Sequence, residues 1–385
     1  MLYLMHIALI QLTKKHTEIF GTFIEIILKN NWDLTIYYNL MVDEYSFVPY
    51  YLYLFKKEIT VKPTGYLTED IDNIDYFIWT SSSDDNRMSD LFKSHKFANK
   101  SLFVHHQSAH LKDFMYKNII VSPVIKSQKL DALNPAYILP IYKSYNKLHY
   151  KRREDGKIIF AILGGIRGTN SGKILDRNLD LIADIIEEFP YANYEFQFFM
   201  RKWDWIWICK KRPFLKNNPK IVAYSGLQTP EMIKQLHYAK FILPIAKKNG
   251  WFHWQRLTGS IPFAINFNIP LIMDKKLAQI YRLENSSIIY NESLLEIFSD
   301  IINMQDTEYF KYIENIVRYK KSIYKQNKKN LQELINMHIT TQKNDKPIKE
   351  DNLFMDNHFK KFFANLDKSS KLNNNYNYGN NIKLI

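Results

Sequence analysis

From Lys220 to Tyr281 the chain reads KIVAYSGLQTPEMIKQLHYAKFILPIAKKNGWFHWQRLTGSIPFAINFNIPLIMDKKLAQIY, and few folds can accommodate that pattern. Short continuous apolar runs, as in strands buried on both faces, alternate with segments of helical period. The order is strand, helix, strand, polar loop, helix, strand and helix. Strands joined by helices in this way build a parallel sheet with helices on both faces. Where the polar loop gives way to a helix stands a small-residue turn, Thr258-Gly259-Ser260. A helix N-terminus carries backbone N–H groups without intrahelical partners. With hydroxyls at its mouth and Arg256 beside it, the turn suits an anion such as a diphosphate leaving group.

The same alternation occupies the first half of the chain. Leu4 to Leu12 is a continuous apolar run, and from Thr13 onward HTEIFGTFIEIILKNN places Ile19, Phe23, Ile26 and Ile27 on one side of a helix. The strand DLTIYYNL completes a βαβ unit with a right-handed crossover. Further strands are predicted at Tyr76–Thr80, Ser101–His105 and Asn118–Val121. Pro123, Pro135 and Pro140 and the charged stretch YKRREDGK then mark a domain boundary. A second unit opens with KIIFAILGGIRG, continues through the predicted helix ILDRNLDLIADIIEEF and returns as the strand YEFQFFMR. The chain therefore divides into an α/β domain over 1–149, a second over 150–305, helices over 306–339 and a polar tail over 340–385 that reads as disordered. In such an architecture the ligand lies between the domains, outside the carboxyl ends of the strands.

A length of 385 residues suits two domains, and 46% hydrophobic with 24% charged residues is ordinary for a globular protein. The net charge of +14 favours anionic partners, though the weighting toward Lys, Asn, Ile, Tyr and Phe is also that of an AT-rich genome, viral ones among them. No zinc-finger, RNA-recognition or helix-turn-helix pattern accompanies the charge, which argues against nucleic acid as the main partner. The single cysteine, Cys209, excludes an internal disulfide framework. The apolar start is shorter than the roughly 20 residues of a membrane span and lacks a cleavage signal, so the expected location is the cytoplasm.

The loop Gly164-Gly165-Ile166-Arg167-Gly168 follows a strand and lets backbone amides approach a phosphate closely, with Arg167 as the accompanying charge; a plain tight turn would look the same. It is neither a Walker A motif nor GxGxxG in register. Asp70 and Asp72 precede a buried strand rather than following it, which argues against a metal-binding DxD.

The order of elements, with Tyr224-Ser225-Gly226 before Thr229-Pro230-Glu231, then FILPIA and NIPLIM, resembles the second half of glycosyltransferases of the GT-B fold. These are nucleotide-sugar enzymes made of two Rossmann-like domains facing each other across a cleft. The resemblance implies a metal-independent transfer of sugar from a UDP- or GDP-sugar to a hydroxyl of a glycan or lipid-linked acceptor, with a C-terminal helix that crosses back to the first domain. It implies a donor site formed by Gly165, Arg167, Arg256, Thr258, Gly259 and Ser260. It also places the loop after Ser101–His105 at the cleft, where His105 or His106 faces sugar or acceptor; a structural role for both remains open. Asp84, with Asp85, is the candidate carboxylate base, and a helix cap is its alternative. Many retaining GT-B enzymes carry Glu-x7-Glu at the active-site loop and following helix, whereas Gln255 and Phe263 occupy those positions here. That departure leaves room for a non-catalytic nucleotide- or glycan-binding protein, for a basic nucleic-acid-associated protein, and for an epimerase whose carboxylates have no obvious place. Trp203, Trp205 and Trp207 are expected to pack under the second sheet with the nearby cations solvated, a membrane-facing patch being the alternative. Trp251, Phe252, His253 and Trp254 are expected to face the cleft.

Overall fold

The computed structural model describes residues 5–12, 17–38, 47–55, 59–80, 100–106, 118–123, 135–142, 150–166, 176–248, 250–253 and 257–342. Two parallel sheets form the frame. The first has seven strands in the order β3-β2-β1-β4-β5-β6-β7 and the second six in the order β10-β9-β8-β11-β12-β13. The strands are β1 His6–Gln11, β2 Asp33–Tyr38, β3 Thr60–Lys62, β4 Tyr76–Trp79, β5 Ser101–His105, β6 Asn118–Ile120 and β7 Ala136–Tyr137. The second sheet comprises β8 Ile158–Leu163, β9 Tyr194–Met200, β10 Ile221–Ser225, β11 Ala239–Ile242, β12 Leu271–Asp274 and β13 Ser287–Tyr290. In each sheet the order runs outward from a first strand, then reverses, so the topological switch points lie between β1 and β4 and between β8 and β11.

The first domain contributes α1 Phe20–Lys29, α2 Phe47–Phe55 and the short α3 Leu67–Asp70. In the second lie α4 Asp180–Glu188, α5 Lys202–Lys211, α6 Thr229–Leu236, α7 Ser260–Phe267, α8 Lys275–Tyr281 and α9 Leu295–Ile302, followed by α10 Asp306–Gln342. Side-chain alternation distributes the second sheet between two cores. Ile159, Ala161 and Leu163 pack in a core shared with the first domain, while Phe160 and Ile162 face the other way, toward Phe196, Phe241 and Phe298.

Across this shared core, hydrogen bonds between described residues tie the domains together. Asn266 of α7 accepts from the Tyr142 amide at 2.9 Å and donates to the Pro140 carbonyl at 3.1 Å, and Ser122 meets the Tyr281 hydroxyl at 2.6 Å. Helix α10 spans both halves. Tyr319 donates to the Tyr281 carbonyl and Lys320 to that of Asn266, each at 2.6 Å. Further along, Asn327 is buried and satisfies both backbone groups of Leu139, at 3.1 and 2.6 Å.

Two sequence expectations need correction. The helix predicted from Ile174 begins only at Asp180, because Arg177 forms a bridge with Ala246 and the Asn178 amide donates to the Ile245 carbonyl. Trp205 and Trp207 do pack on the second core, but Trp203 is 79% exposed. Asp70 is a structural carboxylate: it accepts from the Tyr37 hydroxyl at 2.6 Å and pairs with Lys62 at 2.7 Å. The predicted tail lies outside the described residues apart from the end of α10.

Candidate active site

At the carboxyl end of β8 the Leu163 carbonyl gathers the elements of the site. The Ser260 hydroxyl, the first residue of α7, donates to it at 3.0 Å, and an Nη of Arg177 donates to it at 2.5 Å. The other Nη donates to the Pro244 carbonyl just beyond β11, also at 2.5 Å. Arg177 thus stitches together the two strand ends that flank the switch point. Its guanidinium is buried, and burial pushes its pKa down from 12.5 to about 10, against the opposing pull of the Asp176 charge. A guanidinium has five N–H donors. The two carbonyls engage one Nη each, and Nε is buried with no partner. Sequence reasoning missed Arg177 because it placed the residue inside a helix; the Asp-Arg-Asn run before Leu179 is the available signal that the helix starts later.

The glycines beside Leu163 answer two different needs, a left-handed backbone at Gly164 and space at Gly165. Gly164 has φ +89, and a Cβ on it would lie 3.4 Å from the Arg177 guanidinium. A Cβ on Gly165 would lie 2.6 Å from the Asp204 carboxylate, which is paired with Arg201 at 2.9 Å at the start of α5. Any substituent there has to displace that ion pair.

Thr258, Gly259 and Ser260 form the mouth of α7. Thr258 is 1% exposed and its Oγ1 has no partner, whereas Gly259 is exposed. Ser260 has its proton committed to Leu163, so the hydroxyl left at the turn is that of Thr258. The loop of Gly165 and the Thr258 turn are therefore brought together, through the Leu163 carbonyl. Arg167, Arg256 and Asp84 lie outside the described residues.

Across the domain boundary a small pocket is lined by Glu18, Tyr51 and Tyr142 of the first half and Leu257, Gly259 and Phe263 of the second. Glu18 is a carboxylate that sequence reasoning passed over; it stands in the single turn Thr17–Ile19 after β1. Both histidines named from the sequence are buried. His105 pairs with Asn118 Oδ1 at 2.6 Å and His106 with the Thr80 carbonyl at 2.9 Å. Phe252 does not present its face to an open cleft: it is buried, 5.3 Å from the Arg177 guanidinium. Trp254 lies outside the described residues. Among those residues no group of three or more His, Cys, Asp or Glu side chains is arranged to hold a metal ion, and no helix is long and apolar enough to cross a membrane.

No family model matches the chain, and no curated protein matches it in sequence. Solved structures do match in shape. An α-glucosyltransferase in complex with UDP and DNA containing an HMU base is similar over 87% of this chain and 100% of its own, with a TM-score of 0.57 and 10% identity. The catalytic domain of starch synthase IV from Arabidopsis thaliana, bound to ADP and acarbose, matches over 88% and 99% with a TM-score of 0.56 and 7% identity. HepE from Anabaena, in complex with UDP and glucose, covers 88% and 99% with a TM-score of 0.52 and 10% identity. The fold of this chain is GT-B: two Rossmann-like sheets, with a C-terminal helix spanning both.

Proposed function

We propose that this protein is a glycosyltransferase that moves a sugar from a nucleoside diphosphate donor to a hydroxyl acceptor. The observation that carries the reading is the buried guanidinium of Arg177 beside the Thr258 turn, at the switch point of the second sheet. A buried cation and a buried unpartnered hydroxyl cost free energy unless a ligand uses them. A diphosphate does so: it accepts from the Thr258 hydroxyl at the N-terminus of α7, while Arg177, buried behind Phe252, attracts its charge through the low-dielectric interior rather than by contact.

In the reaction the bond between the anomeric carbon and the diphosphate oxygen breaks, with its electron pair leaving on oxygen. The acceptor oxygen bonds to the same carbon and gives up its proton to a base or to the departing phosphate. Stabilising the leaving charge with a fixed guanidinium and a helix dipole is electrostatic catalysis by preorganised groups. Since Arg177 supplies that charge, we take the transfer to be metal-independent. Arg167 and Arg256 join the donor site, and Asp84 is the first-domain candidate facing sugar and acceptor, with UDP, GDP or ADP as the nucleotide; His105 and His106, buried on protein partners, fit the structural alternative. The complex of one structural neighbour with DNA and the charge of +14 place DNA among the acceptors to test, beside glycans and lipid-linked glycans.

Phe263 gives the second reading its support. Where many retaining enzymes hold a glutamate, its ring packs at a tilt against Phe267, centroids 4.7 Å apart, and a protein that binds nucleotide without turnover fits that replacement. A thermal-shift panel of UDP, GDP, ADP and their sugars tests binding. A ligand at about 100 times its Kd adds about 2.7 kcal/mol. Thr258→Val should keep the folded protein at least as stable, since it removes a buried unpartnered hydroxyl, and should reduce the shift about fivefold in ligand concentration. No shift with any nucleotide contradicts both readings; a shift without product favours the second.

A further inference from the structure

The polar loop between β11 and α7 is fastened on both flanks. On one, the Lys247 amide donates to the Asp176 carbonyl at 3.0 Å, next to the Arg177 bridge with Ala246. On the other, His253 Nε2 meets Asp274 Oδ1 at 3.0 Å, at the carboxyl end of β12. The same Oδ1 accepts from the Leu277 amide at 2.9 Å and so caps α8. Nε2 carries the proton when it donates to a carboxylate. The histidine side chain is 2% exposed and the aspartate 18%. Between the two fastenings lies Phe252, whose ring covers the Arg177 guanidinium.

We infer that His253 and Asp274 form the pin that seats this loop, making His253 a positioning residue that sets Thr258 and Arg177 for nucleotide binding. The inference rests on the reading of the Thr258 turn as a diphosphate site. The pin reaches Arg177 through the neighbouring Phe252, and Arg177 shares the Leu163 carbonyl with Ser260, two residues from Thr258. It is also a costly way to hold a loop. His253 Nδ1 and Asp274 Oδ2 are both buried without partners, a penalty that an apolar contact of the same size would not carry. A polar pair held under those conditions fixes direction and distance in a way that an apolar contact does not.

The test uses the full chain with His253→Ala, His253→Gln and Asp274→Ser. Serine still caps α8 but is too short to hold His253, and the Gln amide can take the place of Nε2. Calorimetry measures UDP affinity, hydrogen exchange follows the 257–263 segment, and urea unfolding reports global stability. His253→Ala and Asp274→Ser should each weaken UDP binding by about tenfold, the double variant no more than either alone, and His253→Gln should recover most of it. Exchange of 257–263 should quicken while that of β8 and β9 stays unchanged. Unchanged exchange of 257–263 overturns the pin, and so does an affinity loss that only follows global destabilisation. If UDP, GDP and ADP all fail to bind the unaltered protein, the functional reading fails, and the exchange comparison still decides the pin.

Discussion

Replacing Arg177 with Met separates the two roles this residue can have, as a tie between strands and as a charge for a ligand. The depression of its pKa from 12.5 to about 10 penalises the buried cation by about 3 kcal/mol, at about 1.4 kcal/mol per pH unit. Methionine fills much of the side-chain volume and removes that penalty. Against it stand two hydrogen bonds from a charged donor, about 1.5–3 kcal/mol each. Leu163 keeps the Ser260 hydroxyl, so only the Pro244 carbonyl loses its named donor. The net loss of stability should fall between about 0 and 3 kcal/mol, measurable by urea unfolding. UDP affinity should fall much further, by about 30- to 150-fold, because the attraction of the buried charge for the diphosphate, about 2–3 kcal/mol, disappears. Calorimetry on the two proteins gives the comparison. If Arg177→Met unfolds with a loss above that range while UDP affinity stays within about threefold, the residue is a strand tie and the electrostatic argument is wrong.

Two further predictions concern the frame around the cleft. Gly21→Ala should cost about 1–3 kcal/mol despite alanine's better helix propensity, because its Cβ would lie 2.7 Å from ring atoms of Tyr51 and Tyr142, both buried; chemical unfolding with intact far-UV dichroism is the check. Lys320 is pushed down to about 8 by burial, with the Glu25 charge opposing. Between about pH 8 and 10.5 the unfolded chain binds the proton that the folded chain has lost, so this residue makes stability rise with pH across that window; below it the penalty is constant. Lys320→Met should raise stability at pH 7 by about 1–2 kcal/mol after loss of its bond to Asn266, and the difference from the unaltered protein should shrink by pH 10.

What the sequence made legible follows from burial. Parallel strands covered on both faces must be continuous apolar runs, and the run from Leu4 to Leu12 contains β1 while the stretches IIFAIL and YEFQFFM are β8 and β9. The Thr258 turn was legible because a small-residue turn before an apolar helix has few other uses. Strand β3, with three residues at a sheet edge, and β13, with four, carry too little pattern to be distinguished from loop. Arg177 was hidden for a different reason. Its importance comes from carbonyls that only the tertiary fold brings to it, those of Leu163 and Pro244, and no local spacing encodes such a meeting. His253 and Asp274 are likewise distant in sequence and meet only across the end of the sheet.

Turnover tests the central claim most directly. The protein is incubated with UDP-, GDP- and ADP-sugars and with glycan, lipid-linked glycan or DNA acceptors, and released nucleoside diphosphate is separated by chromatography. One donor class should yield its nucleoside diphosphate together with an equal amount of transferred sugar, and Arg177→Met should nearly abolish both. Nucleotide binding without release from any donor would contradict it and leave a GT-B protein that binds but does not transfer.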